Sequence, residues 1–393
     1  MRTAARRNGA AGHKTGVMLA ALLGFQPTIP LIAGPNEQAV RIHNRLAGVP
    51  PSDAVLTQMV TLISNGNPQG AAQLAMSNSG FYNVTLRNLI APATNRAQSA
   101  FVPLNDYTAT VIGMIRDNVP FNTVLSADVL YVGNVSGAPA YSPSNNNHYQ
   151  YLDNNGVDLK SALVATTQSS LTGIPSSATA GVITTEAAAA AFFIAGTNRA
   201  MFRFTMMNHL CSDLGTIMDT TRPPDRIRQD VTRSPGGDSS LFLNNCIGCH
   251  SGMDPMAQAF AYYNFDNTAM QIVYTAGQVQ PKYHINNTNF PQGFSTPDDS
   301  WSNRWRAGPN AVLGWSPNLP GSGNGANSLG VELANSAAFA NCQVTRVFKY
   351  VCLRTPGTSA DNTQITAMIA SFQAHAYSLR QVFAESAAYC MGN

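Results

Sequence analysis

Apolar residues recur at three- and four-residue spacing through most of the chain, the period of helices that bury one face. After Asn36, a helix cap in waiting, Ala39, Ile42 and Leu46 share a face that stops at Gly48 and Pro50-Pro51. Ser52 is placed to cap a second helix carrying Val55, Leu56, Met59, Val60 and Ile63. The same period predicts helices over about 68–77, 82–90, 105–117 and 121–128. Regions 35–132 therefore read as a helical array. Between 133 and 180 the pattern fades into Asn, Ser, Pro and Gly, with one helical piece near 157–168, so this part reads as a loop-rich excursion. From 181 onward the period returns. Thr185 precedes an alanine run and then Phe192, Phe193, Ile194, Met201, Phe202, Phe204 and Met207, which predicts one long helix ending at Cys211. Residues 266–328 carry few helical signals and all three tryptophans, Trp301, Trp305 and Trp315. Helices close the chain near 329–353, 361–376 and 378–390. The class predicted is mainly α, with long irregular loops.

Charge changes the picture only at the start. Residues 1–34 hold four of the 23 basic residues and no acidic one, leaving 19 basic against 20 acidic in the remainder. With the basic excess confined there, nothing points to nucleic acid. The basic stretch and the apolar run from Gly16 to Phe25 read as a secretory signal, or as an uncleaved N-terminal anchor, because the run is too short to span a bilayer.

The strongest chemical signal is Cys246-Ile247-Gly248-Cys249-His250. C-x-x-C-H is the attachment sequence of c-type haem: two thiols three residues apart each add to one vinyl group, and the histidine beside them turns its imidazole to the iron. In a chain with 6 Cys and 7 His among 393 residues the pattern arises by chance about once or twice in a thousand sequences. Half of a zinc site would need a second Cys or His pair, and a redox dithiol a βαβ setting, neither of which the sequence offers. Haem is ligated to such motifs outside the cytoplasm, so motif and leader agree on a periplasmic or extracellular address. Four further cysteines, Cys211, Cys342, Cys352 and Cys390, suit two disulfides. Cys342 and Cys352 fall in one predicted helix, which separates them by about 15 Å, so if the four are bridged each pairs with Cys211 or Cys390; four buried free thiols are the alternative.

Candidate partners for haem propionates are Arg199 and Arg203, one helical turn apart, and Arg226, Arg228 and Arg233 in the turn-rich approach to the motif. An ion-paired helix face is the competing reading for the first two. Asp238 or Ser239 is placed to cap the short helix delivering Cys246, and a second helix is expected from Asp254, burying Met256, Ala259, Phe260 and Tyr263. Asp254 and Asp298-Asp299 read as isolated carboxylates.

After the motif, Ser251-Gly252-Met253-Asp254-Pro255, then Ala259-Phe260 and Phe265-Asp266, resemble the CxxCH-x-x-(Met/Ile)-Asp-Pro…Phe-Asp pattern of the planctomycete-type cytochrome c family. Residues 41–51 and the segments 344–354 and 379–389 are similar to that family's opening and closing helices. The resemblance implies a largely helical haem domain over 181–393, one haem c at Cys246 and Cys249, and His250 as axial ligand. It implies no reaction.

The far side of the iron decides the chemistry. Met or His there favours electron transfer, whereas an open position admits peroxide or O₂. His284 in the irregular region and Met270 are placed to reach round, His209, Met206 and Met207 come from the preceding helix, and Met368 from the C-terminal part; Met253 and Met256 share the side of His250. Three readings follow: an extracytoplasmic monohaem electron carrier with a redox partner protein; a peroxidase or oxygenase with an open iron and His284 or Arg233 as acid-base group; and a subunit of an electron-conducting homo-oligomer. Motifs for phosphate loops, zincins, nucleophile elbows and EF-hands are missing.

Overall fold

The computed structural model describes residues 33–392, so the expected leader over 1–34 lies, but for its last two residues, outside the described residues. The described chain is mainly α, with 54% of the structure helical and 7% in strands.

The first helix runs Pro35–Ala47. Gly34, not Asn36, stands at its start, because Pro35 suits the first helical position, where its missing N–H is not needed. Gly48 closes it in the left-handed region at φ 72°. Ser52 caps Asp53–Ser64 as expected, and Pro68–Ala75 follows. Pro35–Ala47 and Pro68–Ala75 pack against the last helix, Leu379–Tyr389, and Pro35–Ala47 also against Ala337–Cys352; Ser359–Ala374 packs on those two closing helices. Gln38, Arg41 and Arg45 fasten the two ends by donating to the carbonyls of Gly392, Met391 and Cys390 at 3.0, 2.9 and 3.1 Å. The main apolar core runs from Ala39 to Ala387 and draws on every described region marked along the sequence, and a second small cluster of Ile227, Val231 and Phe242 packs against Cys246 and Ile247.

The 133–180 excursion is more ordered than its composition suggests. Leu130–Gly133 pairs antiparallel with Leu163–Thr166, and Asn147–Asn154 forms a helix whose Tyr149 hydroxyl donates to the Tyr131 carbonyl at 2.8 Å. The long helix expected after Thr185 is two: Glu186–Phe192, capped by Thr185, and Arg199–Leu210. Gly196 and Asn198 interrupt it with positive φ, which no continuing helix permits. Likewise 329–353 divides at Ser336, whose hydroxyl caps the second helix by accepting from the Phe339 N–H. The stretch 121–128 holds only a single 3-10 turn, Phe121–Thr123.

Both disulfides fall within the alternatives the helix geometry left open. Cys211 joins Cys342, tying the end of Arg199–Leu210 to Ala337–Cys352, and Cys352 joins Cys390. Cys246 and Cys249 are free. No described helix is long and apolar enough to cross a membrane.

Candidate haem-attachment site

The motif sits in one continuous helical run. Asp238 caps it by accepting from the Ser240 N–H at 2.8 Å, the turns over Phe242–Cys246 are π-helical, and Ile247–Ala257 is α-helical. Such π turns recur at functional positions in helices. The second helix expected from Asp254 does not start anew: Pro255 is carried inside Ile247–Ala257, and Gln258–Phe260 continues it as a 3-10 turn.

Helical geometry divides the motif between two faces. Gly248, Ser251 and Gly252 face inward. The Gly248 carbonyl accepts from the Asp219 N–H at 2.9 Å, and the Ser251 hydroxyl donates to the Asp219 carbonyl at 2.8 Å. A Cβ on Gly252 would lie 2.0 Å from Trp305 Nε1, so only glycine lets the helix approach that buried ring. Trp305 thus explains part of the irregular 266–328 region: it is the floor beneath the motif. On the opposite face stand Cys246, Cys249 and His250, all half-buried, with Met253 buried one turn on. The packing of one face therefore presents both thiols and the imidazole together on the other.

His250 is oriented by its neighbour one turn along. The two carboxylate oxygens of Asp254 lie 3.1 and 3.2 Å from Nδ1, while Nε2 has no hydrogen-bond partner among the described residues. A carboxylate at Nδ1 selects the tautomer with its proton there and leaves the Nε2 lone pair for a metal. Asp254 itself is buried. Burial opposes its ionisation, but the Arg199 and Arg228 guanidinium groups and the His250 hydrogen bond outweigh it and hold the carboxyl well below the usual range. Arg199 reaches Asp254 through Nε and Nη2 at 2.7 and 2.9 Å and also pairs with Asp230. Arg228 is fully buried, lies 3.7 Å from Asp254, donates to Thr197 Oγ1 at 2.8 Å and stacks over Tyr283 at 4.7 Å.

The five arginines therefore have different surroundings. Arg199 and Arg228 serve Asp254. Arg233 donates to the backbone carbonyls of Ile227 and Arg228 at 2.8 and 3.2 Å, and Arg226 lies over Phe294. Arg203 forms a bidentate, exposed pair with Asp213, whose neighbour Leu214 accepts through its carbonyl from the Cys249 thiol at 3.5 Å. Of the five, Arg203 is the one the structure brings beside a motif thiol.

Among the far-side candidates, His209 is a core residue. Its Nε2 meets the Tyr107 hydroxyl at 2.7 Å, and burial pushes its pKa down to about 3. Met206, Met256 and Met368 are buried, Met207 is half-buried in the core, and Met270 lies exposed at a hairpin turn. His284 ends the turn Pro281–His284. Its neighbour Tyr283 donates to the Ala257 carbonyl of the motif helix at 3.4 Å and lies under the Arg228 guanidinium at 4.7 Å.

Asp254, an isolated carboxylate in the sequence, is the hub of the site. The signal that would have found it is its position four residues after His250 on a helix, where side chains meet. Asp230 and Trp305 had no such signal, being far away along the chain.

Cys246, Cys249 and His250 are the donor types that a c-type haem would use on this face. Burial, followed by the charge of Asp213, pushes the Cys249 thiol above its ordinary value. Among the described residues no three His, Cys, Asp or Glu side chains converge as a zinc site requires, while a porphyrin iron asks this face for one histidine. Compared with protein-family models, with curated proteins and with solved structures, the chain has no match.

Proposed function

We propose that this chain is an extracytoplasmic monohaem c-type cytochrome that passes electrons to and from a redox partner protein. The observation that carries the reading is the contrast among its cysteines. Four are paired in disulfides, as an oxidising compartment favours, while Cys246 and Cys249 remain free on one helix face beside a histidine whose Nε2 is unengaged. Cys246 and Cys249 would hold the group through thioethers, and His250 Nε2 would be the axial donor. Bound there, haem c supplies one-electron exchange at an iron whose potential the ligands and their surroundings set. The chain's own residues do the rest: Gly252 and Trp305 seat the helix, Asp254 fixes the imidazole, and Arg203 pairs with Asp213 beside Cys249, at the edge where the thioethers would form. The resemblance of residues 246–266 to the planctomycete-type cytochromes supports the same reading. Arg233 donates to three backbone carbonyls, those of Ile227, Arg228 and Val231, and is poorly suited as an acid-base group.

The test is expression with a c-type haem-ligation system and haem staining after denaturing electrophoresis. The wild type is expected to retain covalent stain and the double variant Cys246→Ala, Cys249→Ala to lose it. Equal staining of both refutes the assignment. Size-exclusion chromatography of the stained protein separates a single carrier from a homo-oligomeric conductor.

A further inference from the structure

We propose that Asp254 is the positioning residue for His250 and that the pair Asp254 and Arg199 sets the electron affinity of the iron centre, a reading that rests on haem attachment at this helix. Asp254 is buried and one helical turn beyond His250, so its carboxylate meets Nδ1 without any rearrangement of the chain. A charged acceptor at Nδ1 makes the imidazole a stronger donor at Nε2, and a stronger donor favours the oxidised metal. The same carboxylate is contested. Arg199 places two N–H groups on it at 2.7 and 2.9 Å, and the Arg228 backbone N–H lies 3.4 Å away. Each of these bonds draws negative charge away from His250, so the donor strength of the imidazole is graded by how completely the arginines hold the carboxylate. Asp230 provides an internal control: it pairs with Arg199 from another direction and carries the same charge, but makes no bond to His250.

The geometry gives opposite signs for two substitutions. Asp254→Asn removes the charged acceptor and should raise the midpoint potential by at least a tenfold change in the equilibrium with a fixed mediator, or about 59 mV for one electron. Arg199→Gln releases the carboxylate to His250 and should lower it. Asp230→Asn should shift it by less than Asp254→Asn, because Asp230 bonds Arg199 and not His250 and its charge lies farther from the imidazole.

The experiment is a spectroelectrochemical titration of the purified haem protein and its three variants, with circular dichroism to verify the fold and haem stain to verify attachment. An unshifted potential in Asp254→Asn, or an equal shift in Asp230→Asn, overturns the proposal. Should Asp254→Asn fail to fold, Arg199→Gln carries the test, and a potential that stays or rises overturns it. A wild type without covalent haem refutes the underlying reading, whereas stained variants with unmoved potentials refute this inference alone.

Discussion

Glu186 opens the helix Glu186–Phe192 with its carboxyl largely buried beside Asp106, and the chain is expected to lose stability for that reason as the pH rises to neutrality. Asp106 accepts from the N–H groups of Glu186 and Ala187, so both carboxyls crowd one helix start. Burial, followed by the charge of Asp106, pushes Glu186 from 4.5 up to about 7, and burial pushes Asp106 up to about 6 against the pull of its backbone donors. A carboxyl raised in the folded state binds its proton more tightly there than in the unfolded chain. Its contribution is thus fully present below the unfolded value, near 4.5 for Glu186, and lost as pH rises through about 7. At 1.36 kcal/mol per unit, that loss is on the order of 3 kcal/mol by pH 8. Glu186→Gln keeps the shape and removes the titration. Urea unfolding at pH 5, 6, 7 and 8 should show the variant within about 1 kcal/mol of the wild type at pH 5 and more stable by about 3 kcal/mol at pH 8. The variant should keep the decline that Asp106 contributes between 3.8 and about 6 and lose the part that Glu186 contributes between 4.5 and about 7. A wild-type stability that is flat from pH 5 to 8, or a variant no more stable at pH 8, would refute the reasoning.

Two more outcomes follow from the fold. Replacing Cys211 and Cys342 by Ala opens a loop of 131 residues and should cost about 5 kcal/mol by the chain-entropy relation, against about 4 for the 38-residue loop of Cys352 and Cys390, both read from urea midpoints. Gly252→Ala should destabilise by about 1–3 kcal/mol or more through overpacking on Trp305, with a shifted tryptophan emission; an unchanged midpoint would mean the helix is not seated on that ring.

Much of this molecule is local and therefore legible in the order of its residues. Ser52, Thr185 and Asp238 cap their helices because a side-chain oxygen satisfies an N–H two or three residues on, an interaction that needs no distant partner. The mainly α class follows from the apolar period, and the Cys246–His250 motif from a five-residue chemistry. Helix length alone likewise excluded a bridge between Cys342 and Cys352, yet it did not choose between Cys211 and Cys390 for each, because that depends on which helices lie side by side. The breaks at Gly196 and Ser336 carry local signals too, a glycine and an asparagine with positive φ and a serine cap, set between apolar runs that by themselves read as single helices. The site, like the disulfide pairing, depends on distant neighbours. Whether an arginine is free or committed is decided by carboxylates as far off as the 55 positions between Arg199 and Asp254, and Trp305 reaches Gly252 from within a segment without helical signals. The residues thus specified which chemistry the helix offers, since bonding to two thiols and an imidazole depends on neighbours in sequence. Tertiary structure alone decided how that imidazole is held, because charge pairing and close packing depend on distance in space.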